Sequence, residues 1–365
     1  MKDHTTHKTP DLTRTSSILP SRPAERSVPT SHLPTTKTPV ENPALPPRIH
    51  LLSSPVMAPF SSRFLAAAAS FCLVAAASAQ APALPTLPES GPLAFREGDT
   101  VVMLGDTFLE RDGNYGHLEA ALTASCAGKH VRFRNMGWSG DTPRCESRSY
   151  FGPPQEGFDR LKAQLTEIKP SVVILCYGAV DAFNAPAGLP DFLASYRRLL
   201  DMVTEVSKPS IILMAPPATG DHPALAQHLP KLEATRDAIK SLAAERHARF
   251  ADTLAATLPV KKQTVNGVTF TEADYAAMAP AVIASLGLPA PAPDDTNRLA
   301  ELRKAVVEKQ RLFFYRWRPQ NEIYLFGARK HEQGNNGVEI PMFDPLIAKQ
   351  EAVIAAIAAK AKGAN

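Results

Sequence analysis

A candidate nucleophile lies near residue 100, where a short apolar run ends in Gly105-Asp106-Thr107. The run, residues 101–104, is typical of a buried strand, and the residues after Thr107 begin a helical pattern. In an α/β sheet, such a turn places a hydroxyl at the carboxyl end of the strand, where ligands of open parallel sheets bind. Thr107 is therefore a candidate for attack on a substrate, and Asp106 for binding it. Asp106 could instead fix the turn by accepting hydrogen bonds from backbone N–H groups.

Three further segments of similar character follow later strands. Residues 135–141 read Asn-Met-Gly-Trp-Ser-Gly-Asp after the second predicted strand, and residues 177–181 read Tyr-Gly-Ala-Val-Asp after the third. Residues 265–271, Val-Asn-Gly-Val-Thr-Phe-Thr, follow the fifth. Because the carboxyl ends of parallel strands meet at one edge of a sheet, the four segments should line one cleft. Asp181 and Asn184 would then offer polar groups to a ligand.

The order of these segments resembles the four sequence blocks of the SGNH hydrolases, also called the GDSL esterase and lipase family. The resemblance covers about residues 98–290. It implies a flavodoxin-like sheet and hydrolysis of an ester, often an acetyl or acyl group on a sugar or lipid. It also implies a Ser nucleophile and a His base oriented by Asp. The oxyanion would be held by the nucleophile's own N–H, a Gly of the second block and an Asn of the third.

Most positions carried over from the family differ from its pattern in this chain. Thr107 takes the place of Ser, and its extra methyl stiffens χ1 and crowds the attack path. Gly137 matches the oxyanion Gly, whereas Val180 takes the place of the Asn donor, and one such donor is worth about 3 kcal/mol. Asn266 and Thr269 take the places of Asp and His. The resemblance therefore predicts a family member that binds a small-molecule or glycan ester in its cleft, with esterase activity impaired or lost.

Two other functions remain open at this stage. The chain could be a working hydrolase in which Thr107 is a slow nucleophile and the base comes from elsewhere. His331 near the carboxyl terminus is the candidate base, ahead of His117 and His222. The favoured interpretation of His331 is nevertheless a surface or packing residue beside Glu332. The third possibility is a structural domain of a larger envelope assembly.

Charged and aromatic residues outside the four segments have two interpretations each. Arg144, Glu146 and Arg148 follow the second segment and could reach a ligand, or they could form a salt-bridge cluster within the loop. Trp317, between two arginines, could stack on a sugar ring or anchor the end of the chain to the domain.

Alternating strands and helices are needed to bring these residues together. Strands are predicted at residues 100–104, 131–136, 171–177, 210–215 and 248–252, and helices at 115–125, 158–168, 192–206, 232–247 and 272–286. This alternation predicts a parallel sheet in a three-layer α/β/α sandwich spanning residues 98–290. After the Pro-rich residues 289–295, helical patterns at 297–314 and 345–362 predict a C-terminal helical tail, residues 291–365.

The first 97 residues differ in composition from the rest of the chain. Residues 1–56 hold ten of the 34 prolines and no apolar periodicity, which predicts a disordered or mis-assigned extension. Residues 57–79 have a single basic residue, an apolar run and an Ala-Ser-Ala end, which is the pattern of a secretory signal peptide. Residues 80–97 read as a linker. We therefore expect export, with no stable membrane span after cleavage.

Charge and cysteine usage exclude several classes of function. After residue 79 the chain has 32 basic and 32 acidic residues, so it offers no electrostatic footprint for nucleic acid. Cys176 reads as a buried apolar residue, and Cys126 and Cys145 could form a disulfide or remain free thiols. The spacing of Cys and His predicts no metal site. We also expect no cofactor.

Overall fold

The sheet of the protein is parallel and has five strands. The computed structural model describes residues 87–150, 152–291 and 296–360. The strands are β1 (Thr100–Gly105), β2 (Arg132–Asn135), β3 (Val172–Cys176), β4 (Ser210–Met214) and β5 (Arg249–Ala251), in the order β2-β1-β3-β4-β5. This order is flavodoxin-like and places a topological switch point between β1 and β3. The predicted three-layer sandwich with a parallel sheet is confirmed.

Ten α-helices surround or extend this sheet within the described residues. They are α1 (Thr107–Tyr115), α2 (His117–Ser125), α3 (Pro154–Ile168), α4 (Leu189–Ser207), α5 (Leu229–Glu245), α6 (Thr253–Thr257), α7 (Glu272–Ser285), α8 (Thr296–Trp317), α9 (Glu322–Leu325) and α10 (Phe343–Ala359). The helix predicted at residues 115–125 corresponds to α2, and α1 occupies the helical pattern that begins after Thr107. Gly116, with φ of 72°, ends α1 and starts α2 in the left-handed conformation that glycine adopts without strain.

Successive residues of β1 point to opposite faces of the sheet, as the pleat of a strand requires. Val102 and Leu104 enter a first core, built with residues of α3, α4 and α5. Val101 and Met103 enter a second core, built with residues of α1, α2 and α7. The apolar run that predicted β1 is therefore buried on both sides, which makes β1 a central strand.

The C-terminal helices are confirmed and pack onto the sheet domain. Leu312, Phe313 and Trp317 of α8 and Ile347 of α10 belong to the first core. Lys309 of α8 is buried and forms an ion pair with Glu119 of α2, at 2.5 Å. The described residues form one compact unit, so α8 and α10 complete the core of the sheet domain.

Part of the predicted linker also packs on the domain. Leu93 and Phe95 are buried in the second core, and the Leu93 N–H donates to the Gly287 carbonyl at 2.8 Å. Arg249 of β5 donates to the Pro88 carbonyl at 3.1 Å. Two apolar side chains and an arginine thus hold this segment on the domain, although its content of Ala, Pro and Leu predicted a linker. The predicted extension (residues 1–56), signal peptide (57–79) and first linker residues (80–86) lie outside the described residues.

The remaining structural expectations concern thiols and membrane spans. Cys126, Cys145 and Cys176 are free and buried, so the possible disulfide between Cys126 and Cys145 is absent. Burial raises the pKa of the Cys126 and Cys145 thiols to about 12. None of the helices in the described part of the chain combines the length and the apolar character that crossing a bilayer requires.

Candidate active site

A cavity of about 190 Å³ lies at the carboxyl ends of the strands. Its wall includes Thr107 after β1, Val180 after β3 and Thr269 in the loop after β5. The structure therefore brings three of the four sequence segments to the cavity wall, and the second segment contacts Thr107 through the Gly140 N–H without lining the cavity. Phe108, Phe183, Val268 and Phe270 make most of the remaining wall apolar.

Thr107 is the first residue of α1. The side chain of Asp106 caps this helix, with Oδ1 accepting a hydrogen bond from the Phe108 N–H at 3.1 Å. Gly105 lets the turn pass close to β3, because a Cβ at this position would clash with the Cys176 carbonyl. The Oγ1 atom of Thr107 accepts a hydrogen bond from the Gly140 N–H at 3.0 Å. The turn thus holds a hydroxyl against a backbone donor at the edge of the cavity.

The backbone of Gly137 is held by a neighbouring side chain and by close packing. The Gly137 N–H donates to the buried Asn135 side chain, Oδ1, at 2.9 Å. A Cβ on Gly137 would lie 2.8 Å from the Leu109 carbonyl carbon, so glycine is required here for close packing against α1. The N–H beside the Thr107 hydroxyl belongs to Gly140, in the same segment. The Gly140 N–H thus contacts the hydroxyl of Thr107 itself, and the assignment of Gly137 as the oxyanion donor stays a prediction.

A buried ion pair holds the loop that carries Gly140. Arg148 donates from Nε to Asp141 Oδ2 at 2.7 Å and from Nη2 to the Met136 carbonyl at 2.9 Å, and both charged side chains are inaccessible to solvent. The rings of Trp138 and Trp317 lie 5.6 and 5.8 Å from the Arg148 guanidinium. Arg148 therefore fixes the loop and does not reach a ligand. Trp317, 6 % exposed, anchors α8 to the domain.

Arg144 and Asp181 form an ion pair near the cavity, at 2.9 Å, and Arg144 also contacts Glu146 at 2.5 Å. This is the salt-bridge cluster that was one of the two interpretations of the loop. Arg144, Asp181 and Asn184 line a second, polar cavity of about 460 Å³. Burial raises the pKa of the Asp181 carboxyl, and its hydrogen bond to Arg144 opposes this shift.

The loop after β5 lacks a base and an orienting carboxylate at the two expected positions. The Asn266 side chain, Oδ1, accepts hydrogen bonds from the Val268 N–H at 3.1 Å and the Thr269 N–H at 2.8 Å. Its amide therefore stabilises its own loop. Thr269 presents a hydroxyl to the cavity, and a hydroxyl cannot accept a proton near neutral pH. Val180, 40 % exposed, presents an apolar side chain where the family pattern has an amide donor.

None of the three histidines named from the sequence lines the cavity. His331 is exposed in the turn Lys330–Gln333, His117 lies 3.7 Å from Glu272, and His222 caps its own loop by accepting from the Ala224 N–H. The Glu332 carboxylate pairs with Arg329. The structure thus does not bring His331 to Thr107.

A fourth histidine, His228, lines the cavity and was missed by sequence reasoning. It is 5 % exposed, and its ring stacks on Phe183 with 4.3 Å between the ring centroids. Its Nε2 atom is buried without a hydrogen-bond partner among the described residues. Burial lowers the pKa of the His228 imidazole, and the nearby Lys231 charge acts in the same direction. The imidazole is therefore neutral at physiological pH. The residues around it, Gln-His-Leu-Pro, form no recognisable motif.

The carboxyl of Asp106 is also perturbed. Burial raises its pKa from 3.8 to about 7, against the opposing effect of the Phe108 and Ala179 backbone amides, and the charges of Asp141 and Asp181 add to the increase. Within the described residues, no group of His, Cys, Asp and Glu side chains has the geometry of a metal site.

The sheet order, the strand-end cavity and the hydroxyl at the start of α1 are consistent with the three-layer α/β/α fold of SGNH hydrolases. Residues 98–277 match the sequence model of the GDSL-like lipase/acylhydrolase family. This segment of the chain is a GDSL-like lipase/acylhydrolase domain of the SGNH hydrolase family.

Several solved structures are similar to the chain at low sequence identity. A catalytic mutant of an acetylxylan esterase from Geobacillus stearothermophilus is 19 % identical, with a TM-score of 0.42 over 53 % of this chain and 96 % of that chain. A second variant of that esterase is 18 % identical, with a TM-score of 0.43 over 54 % and 99 % of the two chains. An α/β hydrolase from the metagenome of Lake Arreo, Spain, is 18 % identical, with a TM-score of 0.41 over 53 % and 97 %. A search of curated protein sequences found no significant match.

Proposed function

We propose that this chain binds a small ester in the cavity beside Thr107 and that its esterase activity is impaired or lost. The loop after β5 carries this proposal. There the Asn266 amide is committed to the backbone of its own loop, and Thr269 offers no proton acceptor. A hydroxyl is a poor nucleophile until a base removes its proton, so Thr107 lacks the partner that the family mechanism needs.

Stabilisation of an oxyanion is also reduced. Val180 supplies no donor where the family pattern has one, and the loss of one donor costs about 3 kcal/mol of transition-state stabilisation. These losses do not add, because catalytic groups act as a unit and removing one already removes most of the benefit. Ligand binding does not depend on this set of catalytic groups, so a cleft can still bind its ligand after its catalytic activity is lost.

The two neighbouring cavities suggest how the ester is held. The apolar cavity beside Thr107 suits the acyl group, and the polar cavity at Arg144, Asp181 and Asn184 suits the alcohol part, such as a sugar. We therefore retain a carbohydrate or glycan ester as the proposed ligand. We also propose that the protein is exported, on the signal-like pattern of residues 57–79.

Hydrolysis of p-nitrophenyl acetate by the purified full chain tests the loss of activity. The chain and its Thr107→Ala variant should hydrolyse the ester equally slowly, because Thr107 is not activated. The variant that combines Thr107→Ser, Val180→Asn, Asn266→Asp and Thr269→His should gain turnover, because it restores the nucleophile, the amide donor and the base with its orienting carboxylate. Turnover by the unmodified chain that disappears in Thr107→Ala would refute the proposal.

A further inference from the structure

Helix α10 presents an apolar face to solvent as well as to the core. Its buried face carries Ile347, Ile354 and Ala358. On the opposite side, residues at helical spacing form the outer face of α10: Met342, Leu346, Lys349, Val353 and Ala356. All five are exposed, and the exposed fractions of Met342, Leu346 and Val353 are 65, 48 and 42 %. Isolated exposed apolar side chains are ordinary, whereas a continuous stripe of them marks a surface that contacts a partner or a membrane.

The charge on the outer face indicates what covers it. Lys349 lies at the midpoint of this face and has no ion-pair partner in the described part of the chain. The acidic residues of α10 lie off the face and are already paired: Asp344 with Arg316, at 2.9 Å, and Glu351 with Arg134. A second copy of the chain, packed with its outer face centred on this one, would bring two Lys349 ammonium groups together, and like charges repel. The outer face therefore favours an anionic surface over a copy of itself.

A cavity of about 480 Å³ adjoins the outer face. Ala352 and Ala359 of α10, both exposed, contribute apolar surface to its wall. Lys129 and Arg132, from the loop before β2 and its first residue, line the same cavity and are also exposed. Alkyl surface and cationic groups thus lie side by side along α10.

The two cations of this cavity carry charge that no carboxylate neutralises. Lys129 donates to a backbone carbonyl at 2.5 Å, and Arg132 donates to a threonine hydroxyl at 3.0 Å. Neither forms an ion pair with another described residue. The carboxylates of the same wall, in contrast, each have a basic partner: Glu119 has Lys309, and Glu351 has Arg134. The cavity is therefore suited to an anionic group such as a phosphate.

We propose that α10 docks this protein on an anionic lipid bilayer. Met342, Leu346 and Val353 insert among the acyl chains, as the apolar side chains of an interfacial helix do. The long Lys349 side chain extends its ammonium group to the headgroups, and Lys129 and Arg132 bind headgroup phosphates. The association is peripheral and does not use the cavity beside Thr107, so it is independent of the proposed ester binding.

Fluorescence quenching in vesicles tests insertion at one position of the full chain. The vesicles are equimolar phosphatidylglycerol and phosphatidylcholine with brominated acyl chains, which quench an indole only within the bilayer. The emission of Leu346→Trp should fall and shift to shorter wavelength. Leu258→Trp is the matched control, because Leu258, after α6, is 50 % exposed, and its emission should not change. The native Trp138 and Trp317 are 6 % exposed and give a constant background. Since the readout is local, membrane binding by residues 57–79 does not imitate it.

The contribution of charge is measured by titrating the same vesicles into Leu346→Trp. Adding Lys129→Gln or Lys349→Gln should raise the dissociation constant about fivefold, because each lysine close to an anionic bilayer contributes that much to binding. Lys240→Gln, at an exposed site on α5, is the control and should leave the dissociation constant unchanged.

Three results would overturn the docking of α10 on a bilayer. The first is no quenching of Leu346→Trp, or quenching equal to that of Leu258→Trp. The second is an affinity that neither Lys129→Gln nor Lys349→Gln lowers, which would exclude recognition of the anionic headgroup. The third is a dimer, detected by light scattering of the unmodified chain, that Leu346→Gln converts to a monomer, because the outer face would then be covered by a second copy. None of these results bears on ester binding beside Thr107.

Discussion

The buried ion pair between Asp141 and Arg148 leads to the sharpest prediction about stability. Arg148→Met keeps a long apolar side chain between Trp138 and Trp317 but removes the donors to Asp141 and to the Met136 carbonyl. Breaking a buried pair leaves one charge uncompensated, at a cost of about 3–5 kcal/mol. We expect the free energy of unfolding to fall by about this amount at pH 7.5.

The pH dependence of this loss follows from the carboxyl that remains. Burial already raises the pKa of Asp141, and Arg148 opposes that increase, so removal of Arg148 raises the pKa further. A group whose pKa is raised in the folded state favours folding at low pH and loses this contribution as the pH rises through that pKa. The deficit of Arg148→Met should therefore be smaller at pH 5 than at pH 7.5.

Urea denaturation at the two pH values measures this effect, with a double-mutant cycle to isolate the pair. The combination of Asp141→Asn and Arg148→Met should cost less than the sum of the single changes, because it leaves no unpaired charge. Arg197→Met is the matched control, since Arg197 pairs with Glu245 at an exposed site and should cost less than about 1 kcal/mol. A cost below 1 kcal/mol for Arg148→Met at pH 7.5, or additive effects in the cycle, would refute the reasoning.

Two further predictions concern the turn at Thr107 and the loop that faces it. Gly137→Ala should lower the free energy of unfolding, measured by urea denaturation, by several kcal/mol, because its Cβ meets the backbone of α1. Gly140→Ala has open space for a Cβ but a φ of 70°, so it should lower that free energy by only about 1–2 kcal/mol. Equal losses for the two variants would contradict the packing described. For Asp106, with its pKa raised to about 7, ionisation should reduce the free energy of unfolding by up to about 1.4 kcal/mol per pH unit between pH 4 and 7. Asp106→Asn keeps the helix cap and should remove the contribution of Asp106 to this dependence of the free energy of unfolding on pH. The contribution of Asp112, whose pKa is raised to about 7 by its own burial, should remain. An unchanged pH dependence in Asp106→Asn would contradict the burial argument.

The sheet could be predicted from the sequence because its strands are short apolar runs separated by amphipathic segments. β1 and β3 are buried on both faces, and their continuous apolar sequences indicate this burial. The start of helix α1 was predicted but its extent was not, because Thr-Phe-Leu-Glu-Arg-Asp-Gly-Asn-Tyr has few apolar residues and contains a glycine. Its start depends on the Asp106 cap, which is one of the two roles that the sequence left open for this residue.

The site was predictable as a location but not in its details. Gly137 and Gly140 are three residues apart, and only the structure shows that the Asn135 side chain occupies the N–H of the first. His228 enters the cavity from a loop without a motif, so no spacing could indicate it. His331 was named because the sequence offered few alternatives, and its distance from the cavity depends on how the C-terminal helices pack.

The way in which α8 joins the core bears on the evolution of this protein. The family segment ends at residue 277, yet Trp317 packs against Trp138, and the Arg318 guanidinium lies 3.4 Å from the Trp138 ring centroid. The loop that presents Gly140 is thus enclosed by residues far beyond the segment that defines the family. Recombination that exchanged the two parts between relatives would separate surfaces that fit each other, so domain and tail should be inherited together and diversify as a single unit.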